Sequence, residues 1–151
     1  LDDKVKAVFV FQFLQYVRWP EVKNEGPLRI AILGNSGVTP YLQDIAGRKQ
    51  VGGRSIEIQL LSDLQETPGC HILFVGEGMG PTLRSGWKHV RGQPILPVGD
   101  RLHADMEFLG FGFFTEKERL QIEANLAILG RQDLKASSQL LKVTHLFGGG
   151  S

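Results

Sequence analysis

Cysteine is all but absent from this sequence: Cys70 stands alone among 151 residues. An internal disulfide is excluded, and with it a disulfide-stapled scaffold. The compartment stays open, because secreted proteins can lack disulfides. An excess of either charge sign is lacking too. Seventeen basic against sixteen acidic residues leave a formal net charge of +1, which supplies no global attraction to nucleic acid or an anionic membrane. No apolar run approaches the roughly 18 residues that span a bilayer. Four histidines, His71, His89, His103 and His145, are scattered without a close pair, whereas a zinc site needs three or four convergent ligands. Neither a metal nor a cofactor is expected, and nucleic acid is not an expected partner.

What remains is an ordinary globular composition, 42% apolar and 22% charged. A chain of this length buries about 70% of its unfolded surface without help from metal or disulfide. Residues 1–147 read as one domain. Gly148-Gly149-Gly150-Ser151 reads as a linker or a scar outside the fold. The chain opens on Leu1, which fits removal of a leader and equally fits trimming.

Residues 2–18 place Val5, Val8, Phe9, Phe13, Tyr16 and Val17 at helical spacings, and Pro20 ends that helix by constraining Trp19. The pattern then changes to short apolar runs, 28–33, 55–61, 71–75 and 95–98, with helical segments at 40–47 and 81–91 between them. Short buried strands alternating with helices define an α/β sheet, largely parallel. Further on, 108–114 and 120–124 flank Thr115-Glu116-Lys117-Glu118-Arg119 and read as an antiparallel hairpin with a five-residue link. A helical turn closed by Gly130 and a last helix over 136–146, capped by Ser137 or Ser138, complete the chain. The expected fold is a three-layer α/β/α sandwich with a mixed, mainly parallel sheet and a C-terminal antiparallel hairpin.

Few residues invite chemistry. Gly76-Glu77-Gly78-Met79-Gly80 lies between a strand and a helix, the setting of a dinucleotide-binding turn, but Pro81 stands where the third glycine belongs. Gly34-Asn35-Ser36-Gly37 could cradle an anion but lacks the P-loop lysine, and Ser36 is not in a GxSxG elbow. Both read as tight turns. Cys70, in apolar company beside His71, reads as a buried inert thiol rather than a nucleophile. Trp19 and Trp87 read as core or as caps of a pocket. Glu123, in Gln121-Ile122-Glu123-Ala124-Asn125, is a charge set between apolar strand positions. It reads either as a solvent-facing strand residue or as a sheet-edge charge for partner recognition. No catalytic constellation emerges.

The chain resembles the YfiR/HmsC-like periplasmic repressors across almost its whole length. The resemblance is carried by the opening helix from Lys6-Ala7 to Trp19-Pro20, the strands Leu28 to Gly34, Gly53 to Ile58, Cys70 to Gly76 and Pro94 to Asp100, and the ending Glu123-Ala124-Asn125-Leu126 followed by Leu134 to Val143. Each block is weak alone; six in order are specific. Two features depart from the family. Gly110 and Gly112 are separated by Phe111 where members carry a double glycine, and the additional cysteines of many members are missing, so internal redox control is not carried over.

The resemblance implies a regulator rather than an enzyme. Such a protein resides in the periplasm and inhibits an inner-membrane diguanylate cyclase by binding its periplasmic sensor domain. Cyclic di-GMP and biofilm formation are thereby lowered. Expected partners are that sensor domain, an outer-membrane lipoprotein that sequesters the repressor, and a second copy of the chain. The expected partner surface lies near the hairpin and the helix after it, at Phe111, Glu123 and Leu129, with Phe111 and Leu129 alternatively read as core. The competing function is a small α/β nucleotide- or small-molecule-binding protein, or an enzyme, that uses the glycine-rich turns.

Overall fold

The computed structural model describes residues 2–65 and 69–148. Of the expected tail, 149–151 lie outside the described residues. Helix α1 (Asp2–Tyr16) buries Ala7, Val10, Phe13 and Leu14, a three-and-four spacing that turns one stripe inward. It stops two residues short of the expected end. Val17–Arg18 leave the helix as a short strand, β1, and Pro20 follows in extended conformation at φ −63° and ψ 161°.

The main sheet contains β2 (Leu28–Leu33), β3 (Ile56–Leu61), β4 (Ile72–Val75), β5 (Leu96–Asp100), β6 (Phe111–Glu116), β7 (Arg119–Ala124) and a closing strand, β9 (His145–Leu146), in the order β3-β2-β4-β5-β6-β7-β9. Strands β3, β2, β4, β5 and β6 run parallel; β7 turns back against β6, and β9 lies parallel to β7. Burial on both faces explains why β2 and β4 are near-continuous apolar runs. Strand β3 lies on one edge of the sheet, so its alternating residues run from buried Ile56 to exposed Leu60.

Helices cover both faces, giving the expected three-layer α/β/α architecture. On one face α1 packs beside α2 (Thr39–Arg48), and its rings meet those of β6: Phe13 stacks on Phe111 with centroids 4.4 Å apart. Over the other face, α3 (Gly80–Ser85), α4 (Trp87–Val90) and a single 3-10 turn at Met106–Phe108 enclose Leu33, Leu73, Val75 and Leu109.

Four details differ from the sequence reading. The helix expected over 81–91 is broken at Gly86, where a Cβ would come within 2.8 Å of the Leu64 side chain. The hairpin link has two residues, not five: Lys117 and Glu118 adopt φ of +50° and +65°, which match the twist of the flanking strands and let pairing continue to Glu116 and Arg119. Gly130 does not close the helix after β7. That helix, α5, runs Leu126–Arg131, opened by the Asn125 side chain accepting from the amides of Ala127 and Ile128. The last expected helix survives as one turn, α6 (Ser138–Leu141), with Ser137 as its cap. It is preceded by β8 (Lys135–Ala136), which pairs antiparallel with β1, and followed by β9. Strand pairing outweighs local propensity at both ends of α6.

Candidate functional site

The parallel sheet reverses its winding between β2 and β4, and the two glycine turns follow the carboxyl ends of these neighbouring strands. Open α/β sheets bind ligands at such a point. Here the crevice is closed from within. The first turns of α1 lie across it, and Lys6 Nζ donates to Asp100 Oδ2 at 2.8 Å with both side chains about 15% exposed. The space left, lined by Asp3, Ser36, Glu77 and His103 among others, is about 40 Å³. Ligand pockets measure roughly 300–1,000 Å³.

Glu123 sits elsewhere, on β7, opposite Gly112 of β6 and opposite His145 of β9. Strand alternation sorts the side chains. Phe111, Phe113, Ile122 and Ala124 belong to the core beneath α1, so Gly112, Phe114, Gln121 and Glu123 face the other way. No residue of β6, β7 or β9 belongs to the apolar core on that second face, and a polar and aromatic cluster occupies the sheet there instead. Arg101 Nη1 reaches Glu123 Oε1 at 3.3 Å, and its guanidinium lies 4.3 Å from the centre of the Phe114 ring. Phe114 meets the His145 ring edge-on at 5.7 Å, and His145 Nε2 is 3.1 Å from Gln121 Oε1.

This arrangement has local causes. The Arg101 amide donates to the Phe113 carbonyl at 2.9 Å, which fixes the arginine beside β6. Gly112 leaves room for it to cross: a Cβ there would lie 3.1 Å from Arg101 Cγ and would collide with the Met106 sulfur. The Glu123 side chain is only 18% exposed, against 41% for Arg101. The accessible charge of the pair is therefore chiefly the guanidinium. Next to this cluster, Leu146 and Phe147 at the end of β9, with Leu126 of α5 and Phe108, line an apolar groove of about 500 Å³. Leu126, Leu146 and Phe147 are each more than a third exposed. Aromatic and arginine groups beside an apolar groove are the usual anatomy of a protein-binding surface.

Of the three residues expected at the partner surface, Glu123 alone reaches solvent, and only in part. Phe111, expected to lie open beside its glycines, is fully buried on Phe13, and Leu129 is 3% exposed in the same core. Neither side chain is free to touch a partner in this conformation: Phe111 lies under Phe13 of α1, and Leu129 is packed into the same core. Arg101, Phe114 and His145 were not legible as a cluster. The two-residue hairpin link, where five residues were expected, and the closing strand β9, which lies within the expected last helix, bring them together.

The remaining sequence candidates are structural. The Cys70 thiol is buried, and that burial pushes it up to about 11, far from a reactive thiolate. His71 accepts the Arg29 amide on Nδ1 at 3.1 Å and faces the Lys23 carbonyl with Nε2 at 3.2 Å. These partners assign the proton to Nε2. Trp19 donates from Nε1 to the His71 carbonyl, and Trp87 packs edge-on against Phe108. Among the described residues no group of three or more histidine, cysteine, aspartate or glutamate side chains could hold a metal ion. No helix there is long and apolar enough to cross a membrane.

Fold and site together define an α/β domain with a mostly parallel sheet, whose crevice is closed by its own first helix and whose hairpin end carries a polar and aromatic cluster beside an apolar groove. The chain matches the YfiR/HmsC-like family over residues 3–145 and belongs to it. This is a family of periplasmic regulatory proteins rather than of enzymes. Among curated proteins none matches the chain significantly.

Proposed function

We propose that this protein acts in the periplasm as a non-catalytic repressor. It binds the periplasmic sensor domain of an inner-membrane diguanylate cyclase, holds the cyclase inactive, and so lowers cyclic di-GMP and biofilm formation. Family membership supports the regulatory role, and the Arg101–Glu123 pair on the uncovered end of the sheet supports recognition of a protein. A repressor of this kind works by preferring one state of its target, which shifts the target's population toward that state. An outer-membrane lipoprotein that competes for the repressor would release the cyclase by mass action.

In this reading Arg101, Phe114 and Glu123 contact the partner, whereas Phe111 and Leu129 act from beneath by holding β6 and α5 in place. The competing reading, a nucleotide or small-molecule site at the glycine turns, has about 40 Å³ available and gains no support there. The deciding experiment replaces Glu123 by Lys. The variant loses the Arg101 pair and should melt several degrees below the parent, so binding is compared at a temperature where both are fully folded; there it should lose binding to the sensor domain, and cells carrying it should hold raised cyclic di-GMP. Binding equal to that of the parent would place the contact elsewhere.

A further inference from the structure

The two edges of the main sheet are guarded differently. Strand β3 lies on one edge and carries Glu57, which pairs with Arg29. Strand β9 lies on the other, and from Val143 to Gly148 the chain has no Lys, Arg, Asp or Glu and no Pro. An edge strand presents amides and carbonyls that another chain can pair with, and charges or proline are the usual protection. Val143 is 62% exposed, Leu146 41% and Phe147 37%, so apolar side chains accompany this backbone into solvent.

Pairing with β7 sets the direction of the backbone groups. The Phe147 amide donates to the Ala124 carbonyl at 2.9 Å. Alternation along a strand turns the His145 groups toward β7 as well, and the Leu146 amide and carbonyl outward. Among the described residues no strand lies beyond β9 to take them. Leu146, Phe147 and Gly148 also line the apolar groove of about 500 Å³, together with Phe108 and Leu126. Edge and groove are therefore one surface, with backbone groups for pairing and a cavity for an apolar side chain. A folded domain takes up an extended segment as an added strand in this way, the backbone supplying affinity and the pocket specificity.

We propose that the periplasmic sensor domain docks by adding an extended segment to β9, with an apolar residue of that segment in the groove. This docking mode rests on the reading of the protein as a repressor and adds the element that makes the contact. His145 joins β9 to the Arg101–Glu123 cluster, because it lies opposite Glu123 in the sheet and its ring meets Phe114. A segment on β9 is thus continuous with the patch assigned to the partner. A helix laid on this edge would leave the outward Leu146 groups unpaired; an extended backbone satisfies them. The segment is uncharged where it faces β9, since a charge buried there would meet no counter-charge between Val143 and Gly148.

Amide exchange and binding to the purified sensor domain test it. The Leu146 amide should exchange rapidly in the free protein and at least tenfold more slowly in the complex. Leu146→Pro removes that amide and leaves the groups of His145 and Phe147 that face β7. It should weaken binding at least tenfold, with Leu146→Ile close to the parent. Phe147→Asp, which puts a charge at the groove, should weaken binding as well. Circular dichroism and melting establish that each variant is folded. A Leu146 amide that exchanges as fast in the complex as in the free parent overturns the added strand, and that measurement needs no variant. Loss of binding in Glu123→Lys with parent-like binding in Leu146→Pro and Phe147→Asp overturns the edge and leaves the repressor reading standing. A parent chain without affinity for the sensor domain overturns both.

Discussion

Phe13 of α1 and Phe111 of β6 stack with ring centroids 4.4 Å apart and planes 13° from parallel, both rings fully buried. The contact joins the first helix to the open end of the hairpin, where Phe111 pairs with Ala124. Phe111→Ala should cost about 3–5 kcal/mol, from lost burial, the cavity and the lost ring pair. In a chain of this size that lowers the melting temperature by roughly 10 °C. Calorimetry checks the loss. Any accompanying fall in partner binding should recover when the folded fraction is restored by cooling.

His71 gives the fold an acid sensitivity. Burial, above all, lowers its pKa from 6.5 to about 4, and the charges of Lys23, Arg54 and Arg29 act in the same direction. The native state therefore uses neutral His71, with Nδ1 free to accept the Arg29 amide. Between pH 6.5 and 4 the unfolded chain binds the proton and the folded chain does not. The contribution of His71 is complete above pH 6.5, falls by about 2–3 kcal/mol as pH drops to 4, and changes no further below that. Urea titrations between pH 7 and 4 should show the decline. His71→Asn, which keeps an acceptor near the Nδ1 position, should flatten it.

The Lys6–Asp100 pair should tolerate double but not single replacement. Asp100→Ala strands a lysine that is only 15% exposed and removes the acceptor of the Leu102 amide. A loss of about 3 kcal/mol is expected, because an unpaired, largely buried charge is left behind. Lys6→Met with Asp100→Asn keeps an acceptor and removes both charges, and should recover most of the difference. Denaturant midpoints of the three proteins measure it.

Lys117 and Glu118 are non-glycine residues at positive φ. Replacing them with Asn-Gly, the residues this turn favours, should stabilise the chain by about 1 kcal/mol. A rise of a few degrees in melting temperature, with partner binding unchanged, is the expected outcome.

The sequence by itself determined the strands of the parallel sheet and the helix that opens the chain. Leu28–Leu33, apart from Arg29, and Ile72–Val75 are apolar on both faces, the pattern of a short strand covered on both sides. It also marked Glu123, because a charge between buried Ile122 and Ala124 has to point away from the core. Only the tertiary structure decided what Glu123 meets. Arg101 is 22 positions away, His145 another 22 in the other direction, and the three converge through a two-residue turn and a two-residue edge strand. Such short elements carry too little periodicity to be read locally and form because the sheet offers them partners. The same holds for Phe111. Its neighbours are glycines that leave a ring open in an isolated strand, and α1, nearly a hundred residues earlier in the chain, closes over it.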